Sequence, residues 1–174
     1  MVALNWTIAS LLLATIAYSA PLIHPRASAA IIDDLNTINT DTTALQSALS
    51  AYKGGLFSAL PIQNANEQLT KDINNAIASG GYYGFASEQE SQQALSFIYY
   101  TLAPNVEATA ALLSQKKDFF VADKLSERVL QSLQALRSAS YQYGQILASK
   151  NPGFADANAR IDAALAGVLA AYSY

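Results

Sequence analysis

The chain has 174 residues, with ten Lys and Arg against thirteen Asp and Glu, one histidine and no cysteine. A mildly acidic balance without a basic stripe argues against a nucleic-acid or anionic-membrane partner, and a chain without cysteine has neither disulfide staples nor thiol chemistry. The one histidine, His24, lies beside what reads as an export signal, so no Ser-His-Asp set is expected in the mature protein.

From Ile8 to Ala17 runs an uncharged apolar stretch the length of a signal core and too short to span a bilayer. Ala17 and Ser19 supply the small residues of a cleavage site, so residues 1–19 are expected to be removed. Residues 20–26, with Pro21, Pro25 and Arg26, read either as a pro-segment cut after Arg26 or as an extended tail. Residues 27–174 are then one secreted domain that must be stabilised by packing alone.

A first helix is predicted over residues 29–52. Ile31, Leu35, Ile38, Thr42, Leu45, Leu49 and Tyr52 fall at alternating steps of four and three, which form one helical stripe. Lys53-Gly54-Gly55 ends it, and an apolar link leads to Pro61, which suits the first turn of a second helix over 62–79. The second stripe is Ile62, Asn66, Leu69, Ile73 and Ala76 or Ile77.

Tyr82-Tyr83-Gly84-Phe85 follows as an aromatic loop, and Ser87-Glu88-Gln89-Glu90 is a capping box that starts a third helix near Glu88. Its seam is Leu95, Ile98, Leu102, Val106, Thr109 and Leu113, with a kink expected at Pro104. Residues 115–123, with Phe119-Phe120, read as a connection. A fourth helix over 124–149 carries Val129, Leu133, Leu136, Ser140, Tyr143 and Leu147 in step. Asn151-Pro152-Gly153 is a turn, and a fifth helix over 155–172 carries Asn158, Ile161, Leu165, Val168 and Tyr172. The expected fold is all-α: a single antiparallel bundle of about five helices with a Pro-kinked third helix and no strand.

Several motifs carry a resemblance. They are Leu113-Ser114-Gln115-Lys116-Lys117-Asp118-Phe119-Phe120, the stretch from Val129 to Leu136, Ile161-Asp162-Ala163-Ala164-Leu165, and the closing Ala170-Ala171-Tyr172. With the opening helix, which has an Asp-Leu-x-x-Ile and a Thr-x-x-Leu pattern, they resemble the fungal hydrophobic surface-binding protein A family, which includes cell-wall galactomannoproteins. The resemblance covers nearly all of residues 27–174. It implies a secreted or wall-associated helical domain without catalytic residues or cofactor. Members adsorb to hydrophobic surfaces, and some enclose fatty acids between helices.

The residues themselves point to a binder. Thr42, Thr109, Ser140 and Tyr143 put hydroxyls where the stripes call for apolar side chains, and a buried hydroxyl without a partner costs roughly 1–3 kcal/mol. Each either bonds back to a carbonyl one turn earlier or faces a ligand's head group. Thr42, Ser140 and Tyr143 are the leading head-group candidates. An acyl tail is expected against Leu35, Ile38 and Leu45 of the first helix and Leu69 and Ile73 of the second. Ile98 and Leu102 of the third, Leu133 and Leu136 of the fourth, and Ile161 and Leu165 of the fifth complete that set. The alternative function is a surface adhesin that coats hydrophobic solids and recruits secreted hydrolases, using exposed rings such as Phe57, Tyr82, Tyr83, Phe85, Phe119 and Phe120. Those rings could equally plug the bundle end. Glu88, Glu90 and Glu107 belong to a cap and a helix face rather than to a paired-carboxylate site, and no metal site is expected.

Overall fold

The computed structural model describes residues 26–80, 84, 85 and 87–173. The predicted signal, the stretch bearing His24, and Tyr82 and Tyr83 lie outside the described residues. Seven α-helices occur among the described residues, and no strand: α1 Arg26–Ala51, α2 Leu60–Gly80, α3 Glu88–Phe97, α4 Ala103–Gln115, α5 Lys117–Ala122, α6 Ser126–Lys150 and α7 Phe154–Tyr172. Five long units follow, because α3 and α4 are joined without a break by a π turn, Ile98–Leu102. Each packs on two others. α1 lies against α2 and α4, α6 against α2 and α7, and α4 closes the ring on α7. All five apolar stripes therefore face one axis.

The stops follow from local chemistry. Gly54 and Gly55 adopt φ of 94° and 100°, values that favour glycine, and let the chain leave α1. A 3-10 turn, Leu56–Ala59, then leads into α2. Ser87 caps α3 by accepting from the Glu90 amide at 3.2 Å. Where a kink is expected at Pro104, the helix runs on through the π turn. In that register the Tyr99 carbonyl would meet the nitrogen of Pro104, which has no hydrogen to give. Arg160 of α7 donates to this carbonyl instead, at 3.0 Å, and its guanidinium also grips Glu107 in two bonds of 2.6 and 2.8 Å.

The region read as a connection between the third and fourth predicted helices forms α5. Phe120 anchors it, buried and stacked on Tyr52 at 4.7 Å. Lys116 donates to the Tyr52 carbonyl at the end of α1, and Lys117 to the Ala171 carbonyl at the end of α7, each at 2.5 Å. Two cations thus meet two helix C-termini, where the dipoles favour positive charge. Tyr172 donates to the Leu113 carbonyl at 2.8 Å, and the Tyr52 hydroxyl donates to Asp123. The Lys-Lys-x-Phe-Phe stretch is therefore the latch that ties the ends of α1, α4 and α7 together.

Candidate functional site

A narrow cavity runs along the bundle axis. Its wall takes Leu35, Ile38, Thr42 and Leu45 from α1, and Leu69 and Ile73 from α2. The π turn supplies Ile98 and Leu102, and α4 supplies Val106, Thr109, Ala110 and Leu113. Leu136, Ser140, Tyr143, Gly144 and Leu147 come from α6, and Phe154, Ala157, Asn158, Ile161 and Leu165 from α7. No charged side chain is among them. The cavity's free volume is about 70 Å³, less than half of the ~150 Å³ void that admits a benzene ring.

The polar groups in this wall fall into two kinds. The Thr42 hydroxyl donates to the Ile38 carbonyl at 2.7 Å, and Thr109 to the Asn105 carbonyl at 2.8 Å. Both protons are committed to their own helices. Tyr143 is different. It is 5% exposed and its hydroxyl has no hydrogen-bond partner. Burial, with the negative charge of Asp34 behind it, pushes its ionisation well above the ordinary tyrosine range. It is a neutral O–H donor. Ser140 likewise makes no bond back to its helix.

Asn158 is a further cavity residue, present in the predicted fifth stripe but not singled out as a contact. Its side chain is 7% exposed and makes no hydrogen bond among the described residues. It lies against the bare Cα of Gly144, where an added Cβ would stand 2.0 Å from the Asn158 Oδ1. Gly144 is one helical turn from Ser140, so Ser140 and Asn158 line neighbouring parts of the wall. Tyr143 reaches the other way, toward Gly80 of α2. Ser140 and Asn158 thus lie where α6 meets α7 and Tyr143 lies toward the end of α2, while in the stretch toward Leu45 and Leu113 the Thr42 and Thr109 hydroxyls are spent on their own helices.

Leu133 does not line this cavity. It belongs to a second one, of about 300 Å³, where α1 and α4 end and α2 and α6 begin. Leu45 and Leu113 appear in both walls, so the two voids meet end to end across these side chains. At the same end of the bundle, Leu56, Phe57 and Leu60 are exposed by 61, 88 and 50%, and Phe119 and Val121 by 42 and 52%. The loop rings divide: Phe57 faces solvent, Phe120 is buried, and half-buried Phe85 stacks on Phe154 at 5.3 Å. Among the described residues no group of three or more His, Cys, Asp or Glu side chains could hold a metal ion, and no helix is long and apolar enough to cross a membrane.

The family model described as hydrophobic surface binding protein A matches residues 28–149. The chain is 29% identical over 164 residues to cell wall mannoprotein 1 of Aspergillus fumigatus; the match covers 92% of this chain and 57% of that protein, so the chain spans little more than half of this relative's length. Among solved structures, Afmp4p in complex with palmitic acid aligns with a TM-score of 0.78 at 27% identity, over 83% of this chain and 99% of that one. Ligand binding domain 1 of the Penicillium marneffei MP1 protein, complexed with arachidonic acids, aligns with a TM-score of 0.78 at 20% identity, over 83% and 97% of the two chains. Domain 2 of that protein, complexed with multiple arachidonic acids, gives 0.77 at 15% identity, over 83% and 95%. The last two likenesses establish the fold.

Proposed function

The chain belongs to the hydrophobic surface binding protein A family, and from that premise we propose that it is a secreted binding protein that encloses a long-chain fatty acid along its bundle axis and performs no reaction on it. The observation that carries this reading is the axial cavity, walled by apolar side chains from all five long units and holding an unpartnered buried hydroxyl, Tyr143, at one end. The head group lies at that end, where Tyr143, Ser140 and Asn158 supply donors. The tail runs toward Leu45 and Leu113. Palmitic acid in Afmp4p is the ligand of a relative with the same fold and gives this reading its chemical class. The relation to a cell wall mannoprotein supports an extracellular or cell-wall location, with residues 1–19 removed on export.

The cavity must widen to take such a ligand, and the energetics permit it. At the ~25 Å³ per carbon of a benzene-sized void, a sixteen-carbon chain needs a further ~330 Å³ of apolar void, which costs roughly 8 kcal/mol at ~24 cal/mol per Å³. A chain of about sixteen carbons contributes on the order of 12 kcal/mol at ~0.8 kcal/mol per buried methylene. Calorimetric titration of delipidated protein with a C16–C20 fatty acid tests the reading. Saturable binding is expected, weakened about fivefold by Ser140→Ala, as for one neutral hydrogen bond of ~1 kcal/mol, and far more by Leu136→Trp, which fills the cavity. A titration with no saturable heat in the folded protein would overturn it.

A second reading has its own observation. Leu56, Phe57, Leu60, Phe119 and Val121 form an exposed apolar end, the kind of patch that adsorbs to hydrophobic solids. If this end does so, Phe57→Ser lowers adsorption to alkylated beads without changing the axial site's affinity. Equal adsorption by both proteins would remove the reading.

A further inference from the structure

The second cavity differs from the axial one in three ways. It is about four times larger, at about 300 Å³ against about 70 Å³. Its mouth is open to solvent between the Leu56–Ala59 turn and α6, bordered by the exposed side chains of Leu56, Phe57 and Leu60. Its wall also contains a cation. Arg128, on the first turns of α6, is exposed and makes no hydrogen bond or ion pair among the described residues. Gln63, Asn66 and Ser132 are the other polar side chains around it. The interior surface, by contrast, is apolar, with Ile62, Phe120 and Leu133 buried in it.

We propose that this cavity is a second binding site, for an anionic single-chain lipid of medium length, with its tail against Leu45 and Leu113 and its head group on Arg128. A void of ~150 Å³ holds the six carbons of benzene, so 300 Å³ suits a tail of about twelve. The site is already open, so its ligand does not have to part the helices. The charge differs too. The axial wall has only neutral donors, whereas a guanidinium presents a planar fork matched to a carboxylate, sulfate or phosphate. The inference rests on the axial site only in that the two ligands would lie tail to tail, with Leu45 and Leu113 between them.

The test uses dodecanoate, with bound equivalents counted by native mass spectrometry and affinity measured by calorimetry. Val129→Trp fills the second cavity from its half-buried wall, Leu136→Trp fills the axial one, and melting curves confirm that each variant is folded. The second site is expected to persist in Leu136→Trp and to disappear in Val129→Trp. Arg128→Gln, a surface change that cannot cost the fold, should weaken it several-fold and flatten its salt dependence, and Arg128→Lys should restore part of both. Unchanged dodecanoate binding in folded Val129→Trp, or in Arg128→Gln, would overturn the proposal. Failure of the axial site gives a different result, with dodecanoate binding the same in Leu136→Trp as in the unaltered protein.

Discussion

Tyr143 is an expensive residue for a protein that must be stable by packing alone. Its hydroxyl is buried without a partner, and such a group costs about 1–3 kcal/mol of stability. Phenylalanine would fill the same space without that cost. Tyr143→Phe is therefore expected to raise the unfolding free energy by about 1 kcal/mol or more while weakening fatty-acid binding. Denaturant unfolding and titration of one preparation check both signs; a variant that is less stable and binds equally well would remove Tyr143 from the site. Gly144 makes the complementary point. Alanine is better in a helix by ~1 kcal/mol, yet its Cβ would meet Asn158 Oδ1 at 2.0 Å. Gly144→Ala should lower the melting temperature, and adding Asn158→Ala should restore it. No restoration would mean that the glycine serves something other than room for the amide. The sequence made Tyr143 and Ser140 visible as polar atoms in apolar stripes. Asn158 carried the same signal, but an asparagine in the first turns of a helix also reads as capping chemistry, and only the packing against Gly144 separates the two. A helical threonine has both a carbonyl and a cavity within reach, so the sequence leaves the Thr42 proton two destinations, and the fold commits it to the Ile38 carbonyl.

At the scale of elements, the pairing of α1 with α2 carries a pH dependence. Asp41 faces Asp72, whose carboxylate is held low chiefly by the Gln68 amide at 2.6 Å, with Asn75 at 3.1 Å and the charge of Lys71 adding to it. Burial, then the hydrogen bond to Asp72 and its charge, raise Asp41 from 3.8 to about 6. Asp34, two turns earlier on the same helix, is raised chiefly by burial as well, against the Ser79 hydroxyl that lowers it. With a raised folded pKa, the folded state binds more protons than the unfolded one across this window, so stability falls as pH rises from about 4 to about 6. The lowered carboxylates, Glu107 beside Arg160 and Asp162 beside Arg137, act in the opposite sense only at more acid pH. Melting temperatures should therefore rise as the buffer moves from pH 7 to pH 5, and Asp41→Asn should flatten that rise and be the more stable protein at pH 7. Parallel profiles for the two proteins would show that the pair is solvated and unimportant. None of this was visible in the spacing of the residues: Asp41 and Asp72 are on different helices, and their pairing depends on the rotation of α2 about its axis.

The whole molecule explains why stripes were a good guide to the cavity wall and a poor guide to its size. In a closed ring of five helical units every apolar stripe points to the same axis, so Leu35, Ile73, Leu102, Leu136 and Leu165 must converge once the ring exists. The free volume depends on helix separation, which Leu and Ile set jointly with Ala110, Gly144 and Ala157, and no periodicity encodes it. Leu133 lies in the same stripe as Leu136, but it is level with the end of α1, where α5 and the Leu56–Ala59 turn make a separate wall. A ring with a narrow axial void has a further consequence. A ligand that must open the bundle binds the folded state alone, since the unfolded chain has no cavity, and stabilises it by RT ln(1 + [L]/Kd). At a hundredfold excess over Kd this is ~2.7 kcal/mol, which for a domain of this size corresponds to a rise in melting temperature of roughly 5–10 °C. Long-chain fatty acid should produce that shift and Leu136→Trp should abolish it. Because the filled ring no longer has a void to collapse into, amide exchange should slow most at the axis-facing turns of α4, α6 and α7, and least at the latch formed by α5. Equal slowing throughout, or a shift that survives in folded Leu136→Trp, would place the ligand on the outside of the bundle.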